Sequence, residues 1–359
     1  MAFVAVAGEG VPPPPQEVRF SRAPDGPRLA WARHGSGPPL VIASCWLSHL
    51  QYDWQSPVWR HFLDRLGDIA TVVRYDERGY GLSDWEVDDF SLDRRVADLE
   101  TIVDAAGLDR FALMGMSQGG PVAIEYAHRH PERVTRLVFY GAHATIRAED
   151  EEEAELDRTF LQMIRVGWER PDSTFRRVFT TSLIPSATEE QKRWVDELLR
   201  MSTSATNAVA ARRERELVDV TDRLPGLSVP TLVLHSKDDR MMERERGIAI
   251  ASAIPHASLV LLESENHIVL ADEPAWQTFL DELTTFLAPE TAEHPSSSLS
   301  PRERQIVLLA AEGLDNTTIA ARLTLSVRTV ERHLQNVYLK LGVPGLSGRA
   351  AAVARVLSS

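Results

Sequence analysis

Residues 111 to 130 are Phe-Ala-Leu-Met-Gly-Met-Ser-Gln-Gly-Gly-Pro-Val-Ala-Ile-Glu-Tyr-Ala-His-Arg-His, a strand, a tight turn and a helix in succession. Phe111 to Met114 is a short unbroken apolar run, as in a strand buried on both faces. A helical pattern follows from about Pro121 to His130. Between them lies Gly115-Met116-Ser117-Gln118-Gly119, a Gly-x-Ser-x-Gly pentapeptide at a strand-to-helix junction. Glycines at both positions let the chain turn sharply, which lifts the Ser117 hydroxyl above the end of the sheet. The N–H of Gln118 then lies at a helix N-terminus, where developing negative charge is favoured. The pentapeptide alone also occurs in ordinary turns. The strand before it and the helix after it make Ser117 a candidate nucleophile.

Outward from this junction, apolar runs alternate with helical patterns from residue 17 to 288. Val18 to Phe20 and Leu29 to Arg33 read as an opening antiparallel pair. Leu40–Ala43, Thr71–Tyr75, Leu137–Tyr140, Leu232–His235 and Leu259–Leu262 read as further strands of a mostly parallel sheet. Strand signals stop between about Ala144 and Pro225. Helical patterns at Leu156–Val166, Trp194–Met201 and Ala205–Leu217 fill that gap, so an all-helical cap over the carboxyl end of the sheet is expected there. The acidic run Glu149 to Glu153 reads as a solvated helix face.

A serine at its ordinary pKa is a poor nucleophile and needs a base and an orienting acid. Downstream, Leu232-Val233-Leu234-His235-Ser236-Lys237-Asp238-Asp239 ends a strand with two candidate acids, and Glu263-Ser264-Glu265-Asn266-His267 follows the next strand with a histidine. The chain order Ser, Asp, His and the elbow resemble the α/β-hydrolase fold over residues 17 to 288. The resemblance implies Ser117 as nucleophile, Asp239 as acid with Asp238 the near alternative, and His267 as base. It also implies that Asp76-Glu77-Arg78-Gly79-Tyr80-Gly81-Leu82-Ser83-Asp84 is a structural loop.

Two departures stand out. Asn266 precedes His267 where the family usually has glycine, and Ser44-Cys45-Trp46-Leu47 replaces the usual His-Gly after the first buried strand. Backbone N–H groups of Trp46 and Gln118 are the expected oxyanion donors, with slow turnover expected from the bulky indole. Trp46, Tyr52, Trp54, Trp59 and Trp85 cluster near the loops expected at the carboxyl end of the sheet, and several of them, with Met116 beside the nucleophile, are the expected lining of an apolar ligand pocket; packing in the core is the competing reading.

A second unit follows. Ser300-Pro301-Arg302-Glu303 is a capping box with proline at the first helical position, Ile306, Val307, Leu309 and Ala310 form an apolar face, and Gly313 stops that helix. Asn316 to Leu323 reads as a second helix, and Ser326 caps a third running to about Leu341. This stretch, with Thr329-Val330-x-x-His333-Leu334 and Lys340-Leu341-Gly342, resembles the LuxR-type helix-turn-helix domain, four helices over 299–359. The resemblance implies double-stranded DNA as partner, a recognition helix from Val327, and a fourth helix at about Gly348 to Leu357 that pairs two copies. Arg328, Glu331, Arg332 and Gln335 are expected to face bases, and Thr329, Arg302 and Lys340 to face phosphates.

Charge divides at the same place. Ser296 to Ser359 holds eight Arg or Lys against four acids, a net of +4, which leaves −17 on residues 1 to 295 of a chain at −13. Attraction to phosphate therefore belongs to the tail. Residues 1–16, with Pro12 to Pro15, read as a disordered tail without a basic signal region, and 289–298 as a linker. Cys45 is the only cysteine and no long apolar run exists, so a reducing, cytoplasmic protein without a membrane partner is expected. No histidine pair has metal-ligand spacing with carboxylate support, so neither metal nor cofactor is expected. The expectation for function is a ligand-responsive, dimeric regulator whose hydrolase-like domain senses, and slowly cleaves, an apolar ester or lactone. The alternatives are a competent serine hydrolase with a secondary tail, and a receptor that uses the three residues without turnover.

Overall fold

The computed structural model describes residues 16–43, 47–148, 150–288, 299–311 and 313–340. The chain divides into two compact units, Met1–Leu287 and Ala288–Ser359. The expected tail of residues 1–15, the linker at 289–298, the fourth helix near 348–357 and Trp46 lie outside the described residues. Gln16, counted with the tail, is tied down: its Nε2 donates to Leu50 O at 2.9 Å, and its Oε1 accepts from Arg74 at 2.7 Å.

Among the described residues the first unit holds one eight-stranded sheet. Its strands are β1 (Glu17–Arg22), β2 (Arg28–Gly35), β3 (Pro39–Ala43), β4 (Thr71–Tyr75), β5 (Phe111–Met116), β6 (Val134–Tyr140), β7 (Thr231–Ser236) and β8 (Ser258–Leu262). They lie in the order β1-β2-β4-β3-β5-β6-β7-β8. The β1–β2 and β2–β4 pairs are antiparallel and the rest parallel. From β3 the chain moves outward to β4, then returns to place β5 on the other side of β3. That reversal leaves a crevice beyond the carboxyl ends of β3 and β5, where open α/β sheets bind ligands. Ala43 faces Gly115 across it.

Period-two alternation splits the buried residues of each strand between two cores. Leu40, Ile42, Met114, Val138, Leu232 and Leu234 pack with α2 (Arg60–Ile69) and α10 (Pro274–Leu287). Val41, Ala43, Leu113, Phe139 and Val233 pack with α3 (Leu92–Ala105), α4 (Gly120–Arg129) and α9 (Arg244–Ala253). A short α1 (Leu50–Asp53) precedes α2. Each sheet face is thus covered, which is why the strands read as unbroken apolar runs.

The segment between β6 and β7 forms α5 (Glu151–Gly167), α6 (Thr174–Leu183), α7 (Glu189–Ser202) and α8 (Ala205–Glu216). Each starts on an oxygen-bearing cap: Asp150, Ser173, Thr188 and Ser204. The sequence patterns predict three helices here, and the structure adds α6. Its buried face mixes Phe175, Phe179 and Leu183 with Arg176 and Thr180, while Val178 is exposed, so the apolar period is broken. Ile164, Trp168, Phe179 and Leu199 join these helices to the core of the sheet face under α2 and α10. The loop 76–84 holds them from below. Gly81 N–H donates to Ser202 O at 2.7 Å, Thr203 Oγ1 to Gly79 O at 2.6 Å, and Arg215 pairs with Glu77, both buried.

The second unit contains α11 (Pro301–Ala311), α12 (Asn316–Leu323) and α13 (Val327–Lys340). The predicted capping box is present: Ser300 N–H donates to Glu303 Oε2 at 2.7 Å, and Glu303 N–H to Ser300 Oγ at 3.1 Å. Gly313 and Thr324 take left-handed backbone at the two turns. Ile306, Leu309, Ile319, Leu323, Val330 and Leu334 make its core.

Candidate active site and candidate nucleic-acid interface

At the end of β5 the chain reverses through Ser117, whose φ is +48°. A side chain in left-handed backbone costs about 1–2 kcal/mol, and such strain collects at functional positions. Glycine neighbours make the turn possible. A Cβ at Gly115 would lie 2.9 Å from Ala123 Cβ, and one at Gly120 would lie 2.5 Å from the backbone oxygen of His143. Ser117 is half-buried, and the chain passes through Gln118 and Gly119 directly into α4. The Gln118 N–H therefore sits at a helix start, as an oxyanion donor requires.

Beyond β7, Asp239 is held by three donors. Its Oδ1 accepts from the N–H groups of Met241 at 2.8 Å and Met242 at 2.9 Å, and its Oδ2 lies 2.7 Å from His267 Nδ1. Burial pushes the carboxyl up, but the charge and hydrogen bond of His267 and the two amides outweigh it and hold Asp239 below the ordinary carboxylate value. Asp238 is exposed and does not join the set. A second imidazole, His235, is fully buried with Nε2 3.7 Å from Asp239 Oδ2 and 2.9 Å from Met242 O. Burial drives its pKa down, so it stays neutral and leaves the Asp239 charge to His267.

The loop carrying His267 is knotted by Asn266, the departure noted in the sequence. Asn266 Nδ2 donates to Glu273 Oε1 at 2.7 Å, its Oδ1 accepts from Ser186 N–H at 3.0 Å, and its backbone O accepts from Ser236 Oγ at 2.7 Å. His267 N–H donates to Leu183 O of α6 at 2.9 Å. Helix α6, which lies above the sheet, thereby holds the backbone of His267. The asparagine stands out in the sequence as an exception, but nothing there points to Ser186, its partner 80 residues upstream.

Ser117, Gln118, His267 and Met116 line one cavity. Its walls are otherwise mostly apolar: Trp59, Tyr140 and Met241 below, Phe160, Phe179, Val195 and Leu198 above. Arg212 of α8 also reaches the cavity, with its charge met by Asp157 and Glu216, each at 2.8 Å. Three of the expected lining residues are elsewhere. Tyr52 stacks on Trp194 at 4.5 Å, Trp54 packs edge-on to His34 and under Arg60, and Trp85 is exposed with Nε1 bonded to Gly81 O. Of the aromatic cluster, Trp59 lines the cavity, while Tyr52, Trp54 and Trp85 found partners of their own. Helices α5–α7 add Phe160, Phe179, Leu183, Val195 and Leu198 to the wall, inward faces that the sequence did not tie to the site. Trp46 lies outside the described residues.

On the second unit, Arg328, Glu331 and Gln335 are exposed along one side of α13, and Arg332 is partly so. Thr329 Oγ1 is 2.8 Å from Ser326 Oγ at the helix start. Two residues expected at phosphates are engaged inside the unit. Lys340 Nζ is 2.7 Å from Glu303 Oε2, whose side chain is fully buried. Arg302 donates to Leu323 O at the end of α12 and to Gln305, each at 2.9 Å. Both bonds close the three-helix core, a competing use of the charge that spacing alone does not reveal.

Comparison with known proteins agrees with this division. Residues 38–274 match the family described as alpha/beta hydrolase fold, and residues 297–353 match bacterial regulatory proteins of the luxR family. An Agrobacterium fabrum protein named as a carbamate hydrolase, RutD, is 28% identical over 243 residues, covering 65% of this chain and 89% of that protein. The crystal structure of a hydrolase from Pseudomonas aeruginosa superposes with a TM-score of 0.63 at 23% identity, covering 76% of this chain and 98% of the other. The structure of a bromoperoxidase from Bacillus anthracis gives 0.65 at 20% identity, covering 76% and 99%. No helix among the described residues is long and apolar enough to cross a membrane.

Proposed function

Because this chain belongs to the alpha/beta hydrolase fold family and carries a luxR-family helix-turn-helix unit behind it, we propose that it is a DNA-binding regulator whose first unit recognises and cleaves an apolar ester or lactone. The observation that carries the reading is the 2.7 Å Asp239–His267 contact in the cavity wall that also holds Ser117 on its left-handed turn. Ser117 Oγ attacks the carbonyl carbon and gives its proton to Nε2 of His267. Asp239 accepts from Nδ1–H and stabilises the imidazolium. The Gln118 N–H receives the developing oxyanion. Collapse passes the proton to the leaving alkoxide, and water then releases the acid by the same route.

The apolar walls favour an uncharged substrate. The second unit binds double-stranded DNA through α13 with Arg328, Glu331, Arg332 and Gln335 toward bases, two copies together on a two-fold site. The hydrolase names among relatives of the first unit favour a second reading, a fully competent ester or amide hydrolase in which DNA binding is secondary.

The deciding experiment labels the full chain with a fluorophosphonate and measures DNA affinity before and after. The reading expects an adduct on Ser117 that His267→Ala abolishes, and a change in DNA affinity of about 5- to 150-fold, the usual span of coupling between sites. An adduct elsewhere overturns the active site. An adduct on Ser117 with unchanged DNA affinity and brisk multiple turnover supports the second reading.

A further inference from the structure

A second cavity adjoins the one at Ser117 and shares Leu47, Trp59 and Met116 with it. Hydrocarbon from Ile42, Phe62, Leu63 and Leu66 makes most of its wall, and Ser48, Asp53 and Arg74 make one polar patch in it. All three polar residues are more than nine-tenths buried. Asp53 Oδ2 accepts from Arg74 at 3.3 Å and from the His49 N–H at 3.2 Å. Its other oxygen, Oδ1, has no hydrogen-bond partner among the described residues, and neither has Ser48 Oγ. Buried oxygens without partners are rare in folded proteins, because each has given up water for nothing. Two of them on the wall of one cavity mark a place built for a polar group that arrives with a ligand.

We propose that this second cavity receives one arm of the substrate and selects an apolar arm that ends in a hydroxyl group. A hydroxyl donates to one of the two free oxygens and accepts from the other, which no alkyl terminus does. Arg74 and Asp53 already balance one another, so an ammonium or a carboxylate would leave an uncompensated buried charge, and a neutral polar group suits the patch better than either. Burial pushes Asp53 up to about 7, against the pull of Arg74. Near neutral pH its carboxyl is therefore present both with and without a proton, and a hydroxyl suits either form. The inference rests on the reading of Ser117 as the reacting centre only in calling the ligand a substrate.

The test uses the full-length Ser117→Ala protein, so that binding is read without turnover. Calorimetry compares methyl esters of ω-hydroxy acids, from butanoate to octanoate length, with the unsubstituted esters. A parallel series of ω-hydroxyalkyl and alkyl acetates places the hydroxyl on the other arm. The expected result is a hydroxylated ligand of one length and one series that binds about tenfold more tightly than its plain counterpart. Adding Ser48→Ala, which removes an oxygen that bonds nothing in the protein, should bring the pair within about twofold. Asp53→Asn, which keeps the shape of the side chain, is the second variant and should also shrink the preference. Equal affinities in both series, no binding by either, or a preference untouched by both variants overturns the inference. A hydroxyl preference in a protein whose Ser117 takes no fluorophosphonate would sink the catalytic reading alone; labelling at Ser117 without the preference would sink this inference alone.

Discussion

Gly141 stands against the ring of His267: a Cβ built on it would lie 2.8 Å from the imidazole Cε1. The residue closes β6 with a φ of +54°, and its N–H donates to Leu234 O at 3.0 Å. The absence of a side chain there lets the base settle between the end of β6 and Asp239. Gly141→Ala should therefore lower kcat/KM for a simple ester by about 100-fold, the cost of moving a catalytic group by roughly an ångström. The left-handed backbone adds about 1–2 kcal/mol of destabilisation. Steady-state kinetics and urea unfolding of the same preparation check both numbers, and full activity would show that the ring has room to move.

His267→Ala and Asp239→Asn should each reduce ester hydrolysis by about 10⁴-fold, since the first removes the base and the second leaves it in the wrong tautomer. Asp238→Asn serves as control, because Asp238 is exposed and outside the set. An Asp238 effect as large as the Asp239 effect would exchange the two assignments.

Arg215 and Glu77 form a buried pair between α8 and the loop after β4. Arg215→Met leaves Glu77 without its partner, and loss of one member of a buried pair costs about 3–5 kcal/mol. Denaturant titration followed by tryptophan fluorescence measures this. A loss below about 1 kcal/mol would show a pair bathed in water.

Lys340 and Arg328 should separate in their effects. Lys340→Met strips the partner from buried Glu303 and should lower the stability of the second unit by about 1–3 kcal/mol, seen by calorimetry of the full chain. Arg328→Ala leaves melting unchanged and weakens DNA binding, with a shallower salt dependence if the side chain meets phosphate and an altered sequence preference if it meets a base. Equal melting for both variants would return Lys340 to the surface role its spacing suggests.

Burial, and then the charge of Arg74, lowers the pKa of His34 from 6.5 to about 4. The unfolded chain takes up this proton first as pH falls, so the wild type loses stability relative to His34→Gln. The loss runs at about 1.4 kcal/mol per pH unit, starting near 6.5 and ending near 4. Urea midpoints of both proteins across that window give the difference, and a constant gap would show His34 titrating alike in both states.

The strands, the elbow at Ser117, the chain order Ser117, Asp239, His267 and the capping box at Ser300 and Glu303 are all legible in the chain before it folds. Each is written in local chemistry: an apolar run, glycines around a serine, a hydroxyl three residues before a glutamate. Tertiary structure alone decided what meets across the chain. It set Tyr52, Trp54 and Trp85 aside and brought Phe160, Phe179, Val195 and Leu198 into the cavity that Ser117 lines. It fastened His267 through Asn266 to Ser186, and it took Lys340 from the expected phosphate for Glu303. The physical reason is the same in each case. A helix pattern tells which residues share a face, but the neighbour that covers the face is chosen by packing and by the need to pair every buried charge, and both are settled only when distant segments meet.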